Sequence, residues 1–232
     1  MSKIFDNIKE AIQSVPTKLN NVSSQTVHEF GEYPIQSAFL VRTPIEKVFT
    51  RALNVISAGK FSELQDKHDI PVLYHVAFVG SFNNKNILIE KNEVINVDKF
   101  KQSDIKKNTE TLRLTLKSYP TLAQILTNTV NYMGDTNFFD YDALGADGKR
   151  NNCQDFVMAL LDSNNMATPE AKNFIYQNIT PITKELPNVV AKAVKVITQA
   201  GSVVSRLIGR GKQDKIDKRF INFIKRNRFR FI

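Results

Sequence analysis

Nine consecutive residues, Pro71–Val79 (PVLYHVAFV), constrain this chain more than any other stretch. They are apolar at odd and even positions alike and rich in β-formers, which is the pattern of a central strand buried on both faces. An ionisable side chain, His75, stands in the middle of it. Gly80 and the Asn83-Asn84 pair supply a turn, and Ile87–Glu90 with Glu93–Val97 read as the return strand, kinked at Lys91-Asn92. Thr111–Thr115 alternates strictly, directing Leu112, Leu114 and Leu116 inward and Arg113 outward, and predicts a further antiparallel strand.

Helical spacing surrounds these strands. Thr43-Pro44-Ile45-Glu46 has the form of an N-cap, a proline at the first helical position and a capping-box glutamate, followed by Val48, Phe49, Leu53 and Ile56 on one face and Gly59 as the stop. Leu122, Ile125, Leu126 and Val130 mark a second helix. A loop rich in Asp, Asn and Gly, from Gly134 to Asn151, leads into a third at Cys153, with Phe156, Val157, Leu160 and Leu161 toward the core. The class is α+β, a small antiparallel sheet packed with helices. At the N-terminus, Ile4, Phe5, Ile8, Ile12 and Val15 form an amphipathic helix stopped by Pro16, either docked or serving as a surface anchor. Thr17–Glu32 is polar and reads as a linker. Three regions result: helix and linker over 1–33, a compact domain over 34–166, and a C-terminal extension over 167–232.

Composition narrows the chemistry. A hydrophobic content of 42% with 24% charged residues is that of a globular chain. The single cysteine excludes an intramolecular disulfide and favours a reducing, cytoplasmic setting. It also rules out a zinc site of several thiolates, and three histidines offer little material for another kind, so no metal and no cofactor are expected. The first sixteen residues lack the apolar core of a secretory signal, and no apolar run is long enough for an orthodox membrane span.

His28, in the polar stretch, and His68, in the turn Asp66-Lys67-His68-Asp69, read as solvated. His75 and Cys153 differ. Cys153 follows a polar loop and opens a helix, where the dipole and free N–H groups favour a thiolate and can form an oxyanion hole. A thiolate needs a base, and the base an orienter. Glu90, a charge near the end of the adjoining apolar strand, is the expected third member, with Asn92 of the same parity as the alternative. The bland readings are a satisfied core histidine, a buried inert cysteine and a solvated strand end.

Tyr74-His75-Val-Ala-Phe-Val-Gly80 on a strand, followed later by Asn152-Cys153-Gln-Asp-Phe156-Val157, resembles the lecithin:retinol acyltransferase-like group of the permuted NlpC/P60 branch of papain-like proteins. The likeness covers roughly residues 38–164. It implies a circularly permuted papain-like (NlpC/P60) fold, with histidine before cysteine, extended by helices at both ends. It further implies catalysis through an acyl-enzyme, with Cys153 as nucleophile, His75 as base and Glu90 as third member. The group often carries histidine where this chain has Glu90, and commonly histidine where it has Asp155. Substrates implied are acyl lipids or peptide and isopeptide amides. A non-catalytic structural or adaptor protein, such as a virion component, is the reading from another class.

Charge sets the C-terminal region apart. From Arg206 onward ten Lys or Arg face two Asp, a net +8 out of +9 for the whole chain. From Pro187, Val190, Val194, Ile197, Val204 and Ile208 form one apolar stripe beside a second, with Lys192, Lys195 and Arg206 outside both. Such a helix suits a membrane interface or packing on the domain. The tail beyond Gly209 interleaves cations with Phe220, Phe223, Phe229 and Phe231. An anionic membrane surface is the favoured partner, with nucleic acid or an acidic protein as alternatives.

Overall fold

The computed structural model describes residues 19, 21–45, 47–92, 94–101, 103, 105, 108–144, 151–188, 190–192 and 194. The N-terminal amphipathic segment and the basic tail lie outside the described residues. The strands β1 (Ile35–Pro44), β2 (Tyr74–Phe82), β3 (Lys85–Lys91), β4 (Ile95–Lys99) and β5 (Glu110–Leu114) form an antiparallel sheet in the order β4-β3-β2-β1-β5. The strand that is apolar on both faces is its middle member. Val76 and Phe78 of one parity and Ala77 and Val79 of the other are all buried.

The helices are α1 (Asn21–Phe30), α2 (Lys47–Ile56), α3 (Lys60–Lys67), α4 (Leu122–Met133), α5 (Asp135–Phe139), α6 (Cys153–Ser163), α7 (Pro169–Ile175) and α8 (Thr180–Glu185). Two apolar cores result. In the first, Leu40, Val76, Phe78, Ile87 and Ile89 of the sheet meet Leu122 and Ile125 of α4 and Phe156, Val157 and Leu160 of α6. Thr121 caps α4 through a reciprocal box with Gln124, which fixes where that helix begins. The second core gathers Leu53, Phe61 and Leu64 of α2 and α3 with Leu73, Leu144, Ile182 and Leu186. Leu73 leads into β2 and Leu144 lies in the loop ahead of α6, so the second core holds the approach to both chemical residues.

Several expectations are corrected. The supposed linker contains α1, which buries Val27 and Phe30 and accepts the Val97 N–H on Ser23 Oγ at 2.9 Å. Tertiary burial overrides its polar composition. Thr43-Pro44 does not open a helix. The two residues finish β1, paired with His75 and Tyr74, and Thr43 Oγ1 meets Thr109 instead of capping; the helix starts at Lys47. Pro44 lies beyond the stretch of β1 that pairs with β5, so its missing N–H removes no bond from that ladder. Gly80 is a strand residue, not a turn. A Cβ there would lie 2.6 Å from the Phe82 ring, and the turn is made by Asn83 and Asn84, both at positive φ. The kink at Lys91-Asn92 is a full reversal between β3 and β4, closed by Asn92 N–H donating to Val94 O at 3.0 Å.

Past residue 166 the chain first packs back on the domain. Ala171 and Ile175 enter the sheet core, while Ile179, Ile182, Leu186, Val190 and Val194 enter the second. The apolar stripe beginning at Val190 therefore starts as packing. Among the described residues no helix is long and apolar enough to cross a membrane.

Candidate active site

β2 pairs with β1 along Tyr74–Phe82 but with β3 only over Phe78–Phe82. Beyond Phe78 the strands β2 and β3 part, and the start of α6 enters the opening. The contact is direct: the Val76 N–H hydrogen-bonds to the Cys153 sulfur. The strand that carries His75 thus also supplies a backbone donor to the thiol.

The α6 N-terminus is built from its own sequence. Asn152 Oδ1 accepts the N–H groups of Gln154 at 2.9 Å and Asp155 at 3.3 Å, and Asp155 Oδ2 accepts the Asn152 N–H at 3.2 Å. This reciprocal box makes Cys153 the first helical residue. It also explains why an acidic residue stands at 155: Asp155 caps the helix. The first-turn amides of Gln154 and Asp155 are spent on Asn152. The Cys153 N–H has no protein acceptor among the described residues and is the amide left for an oxyanion.

His75 Nε2 meets Glu90 Oε2 at 2.9 Å. The other carboxylate oxygen accepts from Asn92 Nδ2 at 3.2 Å and Asn96 Nδ2 at 3.4 Å. Glu90 is therefore the orienter, and Asn92, the alternative, holds Glu90 instead of the histidine. Burial pushes the imidazole toward its neutral form. Attraction to the Cys153 thiolate, a hydrogen bond with that sulfur and the bond to Glu90 outweigh it, holding the His75 pKa well above its ordinary value. Burial likewise opposes the thiolate, and His75 with the Val76 N–H overrides it, so the Cys153 pKa is lowered. Both shifts run in the direction of a thiolate–imidazolium pair. With Nε2 committed to Glu90, Nδ1 is the nitrogen left for the sulfur.

The structure brings Cys153, His75 and Glu90 together, and adds residues that the sequence reading did not single out. Gln177 bridges the two halves of the site. Its Nε2 donates to Val72 O at 2.5 Å and its Oε1 accepts the Tyr74 N–H at 3.3 Å, just ahead of His75. Its own N–H donates to Oε1 of Gln154, the residue after Cys153, at 3.4 Å. No spacing signal marks this brace, because its members are far apart in the chain. Lys91, 1% exposed, is the other addition. Its parity with Ile87 and Ile89 was the available signal. Of the two histidines set aside, His28 is exposed on α1 and His68 meets Glu185 at 2.8 Å. Among the described residues no group of three or more His, Cys, Asp or Glu is placed to hold a metal ion.

Compared with known proteins, the chain matches no family model, no curated protein and no solved structure.

Proposed function

We propose that this chain is a cysteine-dependent acyltransferase or lipid hydrolase, with a circularly permuted papain-like arrangement, that works through an acyl-enzyme on Cys153. The observation that supports it best is the 2.9 Å bond from the His75 imidazole to the Glu90 carboxylate, with His75 and Cys153 close enough to shift each other's pKa toward the ion pair. An inert core cysteine needs neither partner.

The thiolate attacks the carbonyl carbon of an ester, forming a C–S bond, while the Cys153 N–H donates to the developing oxyanion. Collapse breaks the bond to the leaving alkoxide, which takes the proton from His75. The neutral imidazole then removes a proton from water or an acceptor alcohol, whose oxygen attacks the thioester and releases the acyl group. Thiolate and imidazolium are restored. Glu90 accepts from Nε2–H throughout, fixing the ring and favouring its charged form. No cofactor enters any step.

Acyl lipid at an anionic membrane surface is the substrate class that suits the basic, phenylalanine-rich tail. Amide cleavage in a peptide would use the same groups. The test pairs two measurements on the full chain. Incubation with a short-chain thioester or activated ester should add one acyl group to Cys153, seen by intact-mass and peptide mapping, and none to Cys153→Ala. Sedimentation with anionic vesicles should be lost on deletion of Arg210–Ile232, which removes nine Lys or Arg and two Asp, while turnover of the soluble ester persists. Failure to acylate would leave the adaptor reading. Acylation by peptides but never by lipid esters would move the assignment to a peptidase.

A further inference from the structure

Glu90 and Lys91 are neighbours at the end of β3, and the pleat sends them to opposite faces of the sheet. Glu90 turns to His75. Lys91 is on the side of Ile87 and Ile89, fully enclosed, where a lysine is otherwise costly. Its Nζ donates to Asn137 O at 2.5 Å and to Asn151 Oδ1 at 2.8 Å. Asn151 Nδ2 in turn donates to Asn137 O at 2.7 Å and Asp140 O at 2.9 Å, and Asn151 is bridged to Asp142. One buried ammonium therefore ties β3, α5 and the turn Asn151-Asn152 that delivers Cys153.

Resting on the reading of Cys153 as nucleophile, we propose that Lys91 is a positioning residue for the thiolate: it fixes the turn that presents Cys153 and anchors a buried positive charge to that turn. Methionine would fill the same volume without the cost of burying an amine, so packing alone does not account for a lysine here. The groups that bear on its charge are Asp140 beside α5, Asp155 on the first turn of α6, and Cys153 itself. Burial brings the Lys91 pKa down to about 7 against the pull of those three anions. Attraction between two charges is mutual, so the ammonium that the thiolate favours also favours the thiolate.

The experiment follows alkylation of Cys153 by iodoacetamide against pH, in the full-length wild type and in Lys91→Met, with circular dichroism as the check on folding. The wild type should show a thiolate pKa well under the ordinary value. In Lys91→Met the pKa should rise by about one pH unit, with alkylation at pH 6 about tenfold slower. A folded variant with lowered Tm and an unchanged thiolate pKa would overturn the proposal, since a merely structural lysine would give that result. A wild-type pKa at the ordinary value would instead overturn the nucleophile reading itself. Should Lys91→Met not fold, the reverse measurement decides. With 13C-labelled lysine, the Lys91 titration should move downward in Cys153→Ala, and an unmoved titration would refute the coupling.

Discussion

His75 is held by the backbone of a middle strand, whereas Cys153 is held by side chains. The histidine lies in register with Thr43 of β1, and of its neighbours Val76 and Phe78 are locked in the first core while Ala77 and Val79 are buried on the other face. The cysteine depends on the Asn152 cap, the Asp155 box, the Lys91 anchor and the Gln154–Gln177 brace, each a polar contact made by one or two bonds. Ladder bonds survive most substitutions because they use no side chain. Polar side-chain contacts vanish when either partner is replaced. The base should therefore be the robust half of this site, and the nucleophile the tunable one.

The comparison is sharpest at the reacting atoms. Cys153→Ala should abolish acylation, and by keeping the backbone and removing one sulfur it should leave the fold intact. His75→Ala should also reduce turnover to background, checked by ester hydrolysis. It should cost more stability, since it opens a void in a half-buried strand position. Equal activity of Cys153→Ala and wild type would end the catalytic reading.

A smaller effect is expected at Glu90. Glu90→Gln keeps the shape but removes the charge that helps hold His75 protonated. Ester turnover should fall about a hundredfold or more, and the thiolate pKa should rise because a less basic imidazole is a weaker counter-ion. A fall in turnover with an unshifted alkylation profile would show Glu90 to act on ring placement alone.

Smaller still is the brace. Gln177→Ala frees Val72 O and the Tyr74 N–H while its backbone N–H still reaches Gln154, so the two halves of the site lose a tie without losing a reacting group. The expected result is about a tenfold loss in kcat with Tm lowered by only a few degrees. If the loss appeared only in KM, Gln177 would belong to substrate binding.

How much of this was legible in the sequence follows from the same contrast. Features carried by periodicity were readable: the central strand from its double-sided apolar run, α6 from Phe156, Val157, Leu160 and Leu161, and Cys153 at a helix start from the polar loop before it. Glu90 was readable as a charge placed against the pattern. Features carried by individual polar contacts were not. Gln154 and Gln177 obey no spacing that links them. Lys91 stood on the core parity of β3, yet a charged residue there reads as a break in the strand, because a buried lysine needs partners that only the folded loop supplies. The α1 segment failed for a related reason, its few apolar residues being diluted among Ser, Asn and Gln.

The last test uses stability, and separates Lys91 from the Cys153–His75 pair. The raised His75 pKa and the lowered Cys153 pKa act on proton uptake with opposite signs, so their contributions to the pH dependence oppose each other. Lys91 has no such counterpart. Its pKa is about 7 in the folded chain against about 10.4 when exposed, so above pH 7 the unfolded state binds the proton that the folded state has released. Stability should therefore increase with pH across this window, by up to about 1.4 kcal/mol per pH unit. Below pH 7 both states hold the proton and the burial penalty is felt in full. Urea midpoints of the wild type should rise from pH 7 to 8.5, and those of Lys91→Met should stay level. Parallel curves would mean that Lys91 keeps its proton in the folded chain throughout, and that the charge anchored at Asn151 is permanent instead of titrating near neutrality.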